Sequence, residues 1–529
     1  MGDYVNPGSD KFEMSLNSEI YVDKSNLIVK TNALFRTERR FICVSRPRRF
    51  GKTMAANMLA AYYGCNEDTR RLFEALDIAK DPSYETHLNQ YNVIMINVQE
   101  FLSQAKYIKE MLDLLKSTIS SELIEKYPDI PYKNKKNFIQ LMKDVYRGTQ
   151  KPFVILIDEW DCIFREYKND VDSQKDYLDF LRLWLKDQAY IGLAYMTGIL
   201  PIKKYGTHSA LNMFDEYSMI DPGRFLAYFG FTELEVDKLS QRYEVDIDGI
   251  KKWYNGYFIE TGTPILNPTS VSKSLVNKRF SNYWNKTETY ESLQDYIKLD
   301  FDCLQSKITQ LIAKNHVEIN PNKFANDMTT FNSSDDVLTL LVHLGYLTYD
   351  WESEKTRIPN EEVKREFINS IEDLANWHGV VTAVRASEKL LQVIWQMRSE
   401  VVAEGIQKVH EENTSILAYN DENALSCVLS LALYSASNYY TIVRELPTGK
   451  GYADLVFIPR KQFADKPAMI VELKWDETIQ SAISQIKEKN YLSALEAYQG
   501  NLLLVGINYD KKTKMHECQI EQIIYGDFN

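Results

Sequence analysis

Two clusters of residues in this chain have the types and spacing that phosphate chemistry needs. The first is Ser45-Arg46-Pro47-Arg48-Arg49-Phe50-Gly51-Lys52-Thr53, followed far downstream by FVILIDEWD, which runs from Phe153 into Asp158 and Glu159. Where a helix begins at the end of such a loop, its free backbone N–H groups cradle phosphate. Arg48, Arg49, Phe50, Gly51, Lys52 and Thr53 would then line a nucleotide-phosphate site, with Lys52 reaching the terminal phosphates. Thr53 and Asp158 would hold a Mg²⁺ ion, and Glu159 would polarise the attacking water. Thr197 closes the next apolar run, where it is either a sensor of the terminal phosphate or an ordinary turn residue. The loop departs from G-x-x-x-x-G-K-[ST], because Arg46 stands at the first glycine and Pro47 removes a donor. Gly-Lys-Thr alone also begins ordinary helices, so the acidic strand end is what makes the pair specific.

The second cluster lies in GKGYADLVFIPRKQFADKPAMIVELKW. Asp454 falls on one predicted strand, with Glu472 and Lys474 on the next. Residues two apart on a strand share a face, so Glu472 and Lys474 point together. If the strands pair through FADKP, Asp454 joins them. Two carboxylates at that spot would bind Mg²⁺, with Mn²⁺ an alternative, and activate a water against a phosphodiester; Lys474 would orient that water or offset charge. Gln485 follows on a predicted helix, Glu422 sits on an upstream helix that would add a further carboxylate, and Glu445 precedes the turn. Each of these alone is more commonly a surface ion pair. Their combination is the signal.

The elements that must position these residues read clearly. FICVS, VIMINV, FVILID and IGLAYMTG are continuous apolar runs separated by amphipathic segments, the pattern of a mainly parallel sheet covered on both faces. Lys52 to Gly64 reads as a helix directly after the loop. Short helices and turns follow to Trp284, and Glu291 to Gly405 reads as mostly helical, interrupted by a hairpin near Leu344 to Val363. A helix then precedes the strands YYTIVREL, YADLVFIP and AMIVELKW, the helix DETIQSAISQIKEKNY and the strand NLLLVGINY.

Composition narrows the classes. The chain has 529 residues and a formal net charge of −12, which opposes coating of nucleic acid through bulk charge. From Gly405 onward there are 12 Lys and Arg against 16 Asp and Glu, so this part needs a metal to approach phosphate. Arginines 36, 39, 40, 46, 48 and 49 could supply basic surface, or be ion-paired. Six scattered cysteines without a C-x-x-C pair indicate reduced thiols rather than a disulfide scaffold. The opening MGDYVNPGSDKFEM lacks a basic stretch followed by an apolar one, and Ala424 to Val443 is too polar to span a membrane, so a cytoplasmic protein is expected.

YVDKSNLI, VSRPRRFGKT, ILIDEWD, TGILPI, WYNGY, LNPTSV, SNYW, GYLT, IPNEEV, GYADL and VELKW together resemble a bacterial family of unknown biological role. That family joins an AAA-ATPase-like domain to a C-terminal PD-(D/E)XK nuclease domain. The resemblance implies that Arg46 is usual at its position. It also implies nucleotide binding at Lys52, Thr53, Asp158 and Glu159, and a nuclease site at Asp454, Glu472 and Lys474. Related nucleases carry Q-x-x-x-Y on the next helix; Gln485 is carried over, whereas Tyr491 stands six residues on.

The expected fold class is therefore α/β: a P-loop NTPase (AAA-like) parallel sheet in 1–205, a helical lid in 206–290, a mostly helical middle in 291–404 and a restriction-endonuclease-like nuclease domain in 405–529. Expected cofactors are ATP and Mg²⁺. Expected partners are nucleic acid, DNA ahead of RNA, and further copies of the chain, with no membrane. The leading expectation is an ATPase coupled to a Mg²⁺-dependent nuclease serving defence, mobile-element biology or repair. The alternative is an ATP-driven switch whose nuclease-like domain only binds nucleic acid or a protein.

Overall fold

In the computed structural model the parallel sheet forms from the four apolar runs: β1 (Phe41–Ser45), β2 (Asn92–Asn97), β3 (Phe153–Asp158) and β4 (Ile191–Gly198). The structure describes residues 2–205, 208–258, 261–284, 289–299, 301, 303–372, 374–413, 422–447, 452–488 and 501–523. The sheet order is β2-β3-β4-β1, extended at the β1 edge by a short parallel strand, Asp215–Tyr217. β1, β3 and β4 are buried along their whole lengths, as strands covered on both faces must be. Their register sets the geometry that matters. Asp158 pairs with Thr197, and Ser45 with Gly198, so the ends of three neighbouring strands open onto one place. Open parallel sheets bind ligands at such carboxyl ends.

The chain separates into two compact units, Met1–Thr287 with Glu318–Lys364, and Glu288–Val317 with Arg365–Asn529. In the first unit, helices after Thr232 build a second core from Phe231, Val236, Leu239, Ile250, Trp253, Tyr254, Leu266, Val271, Leu275 and Tyr283. Ile20 and Val22, the latter from YVDKSNLI, pack against this core, and Lys24 bonds the Ala227 carbonyl and Glu235. Glu235 is also the last member of a capping box with Thr232, so one carboxylate starts the helix and holds the N-terminal segment.

The second unit contains a five-stranded mixed sheet. Strand Tyr440–Pro447 pairs antiparallel with Tyr452–Pro459, which pairs antiparallel with Ala468–Trp475. The latter runs parallel to Leu502–Asp510, and Met515–Ile523 closes the edge antiparallel. Helix Ile479–Glu488 forms the crossover between the parallel pair. It settles on Val456, Ile470, Leu502 and Leu504 through Ile483 and Ile486. A Cβ at Gly506 would lie 3.0 Å from Ala482 Cβ and 3.3 Å from Ile483, so the missing side chain is what lets this helix approach. No helix among the described residues is long and apolar enough to cross a membrane.

Candidate functional site

The loop after β1 turns at Gly51, whose φ of +90° is left-handed, and helix Lys52–Tyr63 starts at the next residue. Nothing lies within 4 Å of a Cβ built on Gly51, so backbone conformation alone favours glycine here. Lys52 is buried, and its Nζ donates to the carbonyls of Arg46 and Pro47, each at 2.9 Å. Burial pushes the amine below its ordinary value, while Glu159 and Asp158 act in the opposite sense. Thr53 Oγ1 donates to Asp158 Oδ2 at 2.7 Å, and Thr197 Oγ1 donates to Asp158 Oδ1 at 3.2 Å. The loop, the β3 end and the β4 end thus meet at one carboxylate.

Glu159 follows with φ +52° and is ion-paired with Arg165. Burial raises the Glu159 pKa, Asp161 adds to this, and Arg165 opposes it. Arg165 Nε also lies 3.3 Å from Asp161, whose Oδ2 accepts from the backbone of Ile199 and Leu200 at 3.0 and 2.8 Å. Neither Arg165 nor Asp161 was singled out from sequence. The available signal was their i, i+4 spacing at a helix start immediately after the acidic strand end.

The arginine-rich run is distributed rather than gathered. Arg46 is fully buried, donating to the carbonyls of Ser45, Tyr217 and Ser218 at 2.8, 2.9 and 2.9 Å, with the Phe229 and Phe258 rings beside it. It therefore ties the loop to the edge of the sheet, and burial lowers its pKa to about 10. Arg39 pairs with Asp215, Arg36 bonds the Tyr146 hydroxyl, and Arg48 is exposed. Arg49 donates to the Tyr283 carbonyl at 2.8 Å and to that of Trp284 at 3.4 Å.

The latter contact explains several motifs that carried no chemistry in the sequence. Glu362, from IPNEEV, accepts from the Tyr283 and Trp284 amides at 2.7 and 2.9 Å and from Ser270 Oγ at 3.0 Å. It fixes the SNYW turn that holds Arg49. Tyr257, from WYNGY, stacks edge-on against Phe50 and donates to the Gly345 carbonyl at 2.7 Å. WYNGY, LNPTSV, SNYW, GYLT and IPNEEV are thus the scaffold of the loop.

In the second unit, Asp454 Oδ2 accepts from the Leu473 amide at 2.7 Å, across the pairing of Leu455 with Val471. Glu472 is 1% exposed. Lys474 Nζ lies 3.4 Å from Glu472 Oε1 and donates to Gln485 Oε1 at 2.7 Å, while Gln485 Nε2 donates to Glu472. Asp454, Glu472, Lys474 and Gln485 are brought together by two strands and the crossover helix. The helix Glu422–Ala432 packs on the strand that carries Glu472. The Glu422 and Glu445 side chains and Tyr491 lie outside the described residues.

Among the described residues, no group of three or more His, Cys, Asp and Glu side chains is arranged to hold a metal. Two hard carboxylate donors fit Mg²⁺ nonetheless, because that ion is commonly held by one or two carboxylates with water and substrate phosphate completing its shell.

Comparison with known proteins defines the class. Residues 8–207 match the family described as Predicted AAA-ATPase, and residues 420–519 match the PD-(D/E)XK nuclease superfamily. The chain thus joins an AAA-ATPase-like domain to a PD-(D/E)XK nuclease-superfamily domain. An uncharacterized protein from the vnfD 5′ region of Azotobacter chroococcum mcd 1 is 26% identical over 288 residues, 52% of each chain. The present chain therefore spans about half the length of that relative. Among solved structures, Aeropyrum pernix ORC2 in ADPNP–ADP complexes covers 67% of this chain and 96% of its own, at 12% identity and a TM-score of 0.30. Aeropyrum pernix ORC1 in complex with DNA covers 70% and 98%, at 12% identity and a TM-score of 0.27. Likenesses at those scores establish nothing further about this chain.

Proposed function

We propose that the N-terminal domain binds and hydrolyses ATP, and that it controls a Mg²⁺-dependent phosphodiesterase in the C-terminal domain acting on nucleic acid, DNA ahead of RNA. The observation that carries this reading is the convergence of Asp454, Glu472, Lys474 and Gln485 on one face of a strand pair. A bound Mg²⁺ would supply charge for the phosphate and acidify a water. Asp454 and Glu472 would hold the ion. Lys474 would orient the nucleophile and offset charge on the phosphate, and Gln485 would keep Lys474 and Glu472 in register. In the N-terminal domain Gly51, Lys52 and Thr53, with flanking Arg48, Arg49 and Phe50, would receive the phosphates, Thr53 and Asp158 would hold the ion, and Thr197 would report on the terminal phosphate. Such pairings suit defence, mobile-element biology or repair in the cytoplasm, with several copies assembled.

The test is cleavage of DNA and RNA by the full chain with Mg²⁺, with and without ATP, beside Asp454→Ala and Lys52→Ala. The expected result is cleavage abolished by Asp454→Ala and decoupled from ATP by Lys52→Ala. Cleavage that survives Asp454→Ala removes the site, and cleavage indifferent to Lys52→Ala removes the control by ATP.

A further inference from the structure

Arg165 is the cation closest in role to the phosphate site that no motif accounts for. Its side chain is 10% exposed, and it has two acidic partners, Glu159 at 24% and Asp161 at 0% exposure. These partners differ in how they are held. Asp161 is anchored by the Ile199 and Leu200 amides, and the same turn is tied to the loop, because Ser45 Oγ donates to the Leu200 carbonyl at 2.8 Å and the Arg46 amide to the Gly198 carbonyl at 3.0 Å. Glu159 is on the open side, directly beside Asp158, whose Oδ1 accepts from the Glu159 amide at 3.1 Å. Arg165 therefore pivots on a fixed carboxylate while its terminal nitrogen occupies the carboxylate that the proposed reaction needs as a base.

We propose, resting on the reading of this loop as an ATP site, that Arg165 is a latch responsive to the terminal phosphate. It holds Glu159 when no triphosphate is bound, and it moves to the γ-phosphate of ATP, which releases Glu159 toward water. Three considerations point the same way. A carboxylate engaged by a guanidinium through Oε2 is a weaker base and has one oxygen fewer to accept from water. Asp158 accepts from Thr53, the residue after Lys52, at 2.7 Å and from the Glu159 amide at 3.1 Å, so the carboxylate that Arg165 holds follows directly on the one that meets the phosphate loop. A terminal phosphate offers a planar guanidinium more charge and more acceptor oxygens than one carboxylate does. ADP lacks that group and leaves the latch closed.

Reciprocity makes this measurable without turnover: if the γ-phosphate breaks the pair, then breaking the pair favours the γ-phosphate. The experiment titrates the full chain with ADP and with a non-hydrolysable ATP analogue, both with Mg²⁺, in the wild type, Glu159→Gln, Arg165→Gln, Arg165→Lys and Lys52→Ala. Glu159→Gln keeps the shape of the side chain and removes its charge. It is expected to tighten the analogue about tenfold relative to ADP, within the usual range of coupling between sites. Arg165→Gln is expected to bind the analogue no better than ADP, with Arg165→Lys between it and the wild type. Unchanged ADP affinity certifies that a variant is folded; if Arg165→Gln loses ADP as well, Glu159→Gln decides alone. An analogue-to-ADP ratio in Glu159→Gln equal to that of the wild type overturns the latch and leaves the ATP site standing. Nucleotide binding that survives Lys52→Ala overturns the phosphate site, and the latch with it.

Discussion

Lys52 and Lys474 are the lysines of the two proposed sites, and they are held in opposite ways. Lys52 is gripped by main chain, the carbonyls of Arg46 and Pro47, on a loop whose geometry turns on the φ of Gly51. Lys474 is gripped by side chains, Gln485 and Glu472, on a regular strand with unremarkable backbone. A site built from backbone tolerates changes of side chain that leave the path of the chain intact, which is how Arg46 stands where the usual motif has glycine. A site built from side chains depends on their identity and on the spacing of the elements that bring them together.

The largest expected effect separates the two directly. Lys474→Met should lower the cleavage rate by about 10³-fold, the scale of a lost electrostatic contact in a transition state, and leave thermal unfolding nearly unchanged. Comparable cleavage in single-turnover assays would show that Lys474 serves packing alone. Next in size is Gly506→Val, which pushes helix Ile479–Glu488 off its strand and should destabilise the second unit by about 1–3 kcal/mol in denaturant titration. The same variant should cost cleavage disproportionately, because Gln485 rides on that helix. Smaller is Gly51→Ala. Space is free there, so the cost is left-handed strain of about 1–2 kcal/mol. It should weaken ADP binding by about tenfold in calorimetry, and an unaltered affinity would show that the free and bound loops carry the same strain.

This contrast also governs what could be read from sequence. β1, β3 and β4 were legible because buried strands are nearly unbroken apolar runs between polar breaks, and Tyr452–Pro459 and Ala468–Trp475 because LVFI and AMIV remain apolar beside Asp454, Glu472 and Lys474. Asp215–Tyr217 was not, since three residues on a sheet edge, two of them acidic, carry no period. Met515–Ile523 was not either, because Glu517, Gln519, Glu521 and Gln522 leave no apolar run to read. In the second site, the strand period alone placed Glu472 beside Lys474. In the first, the scaffold of Arg49 depends on Tyr283, Trp284 and Glu362, more than two hundred residues downstream, and no local rule links them. The basic run looked like a surface patch, yet Arg46 is the most deeply buried of its members, because carbonyls need a donor where two neighbouring strands leave the sheet.

Acid sensitivity offers the finest comparison, since each unit buries one strongly shifted histidine. Burial lowers the pKa of His343 to about 3, with Lys204 and Arg46 adding to the effect. Burial does the same for His516, to about 3, with His410 adding to it. An unfolded chain protonates both near the ordinary value of 6.5. Between that value and about 3 the unfolded state holds protons that the folded state lacks, so the stability these neutral histidines represent is complete above 6.5 and drains away as pH falls. Each should contribute a slope approaching about 1.4 kcal/mol per pH unit once the pH is well below the unfolded value. The window from pH 6 to 5 isolates them from carboxylates, which titrate lower. His516→Gln should remove one such slope while a donor remains for Gln407, which now bonds the His516 ring at 2.6 Å. His343→Gln should remove the other. If both variants keep the full wild-type acid dependence in denaturant titrations at pH 6 and 5, the histidines are protonated in the folded state, and the equivalence of the two units in acid fails.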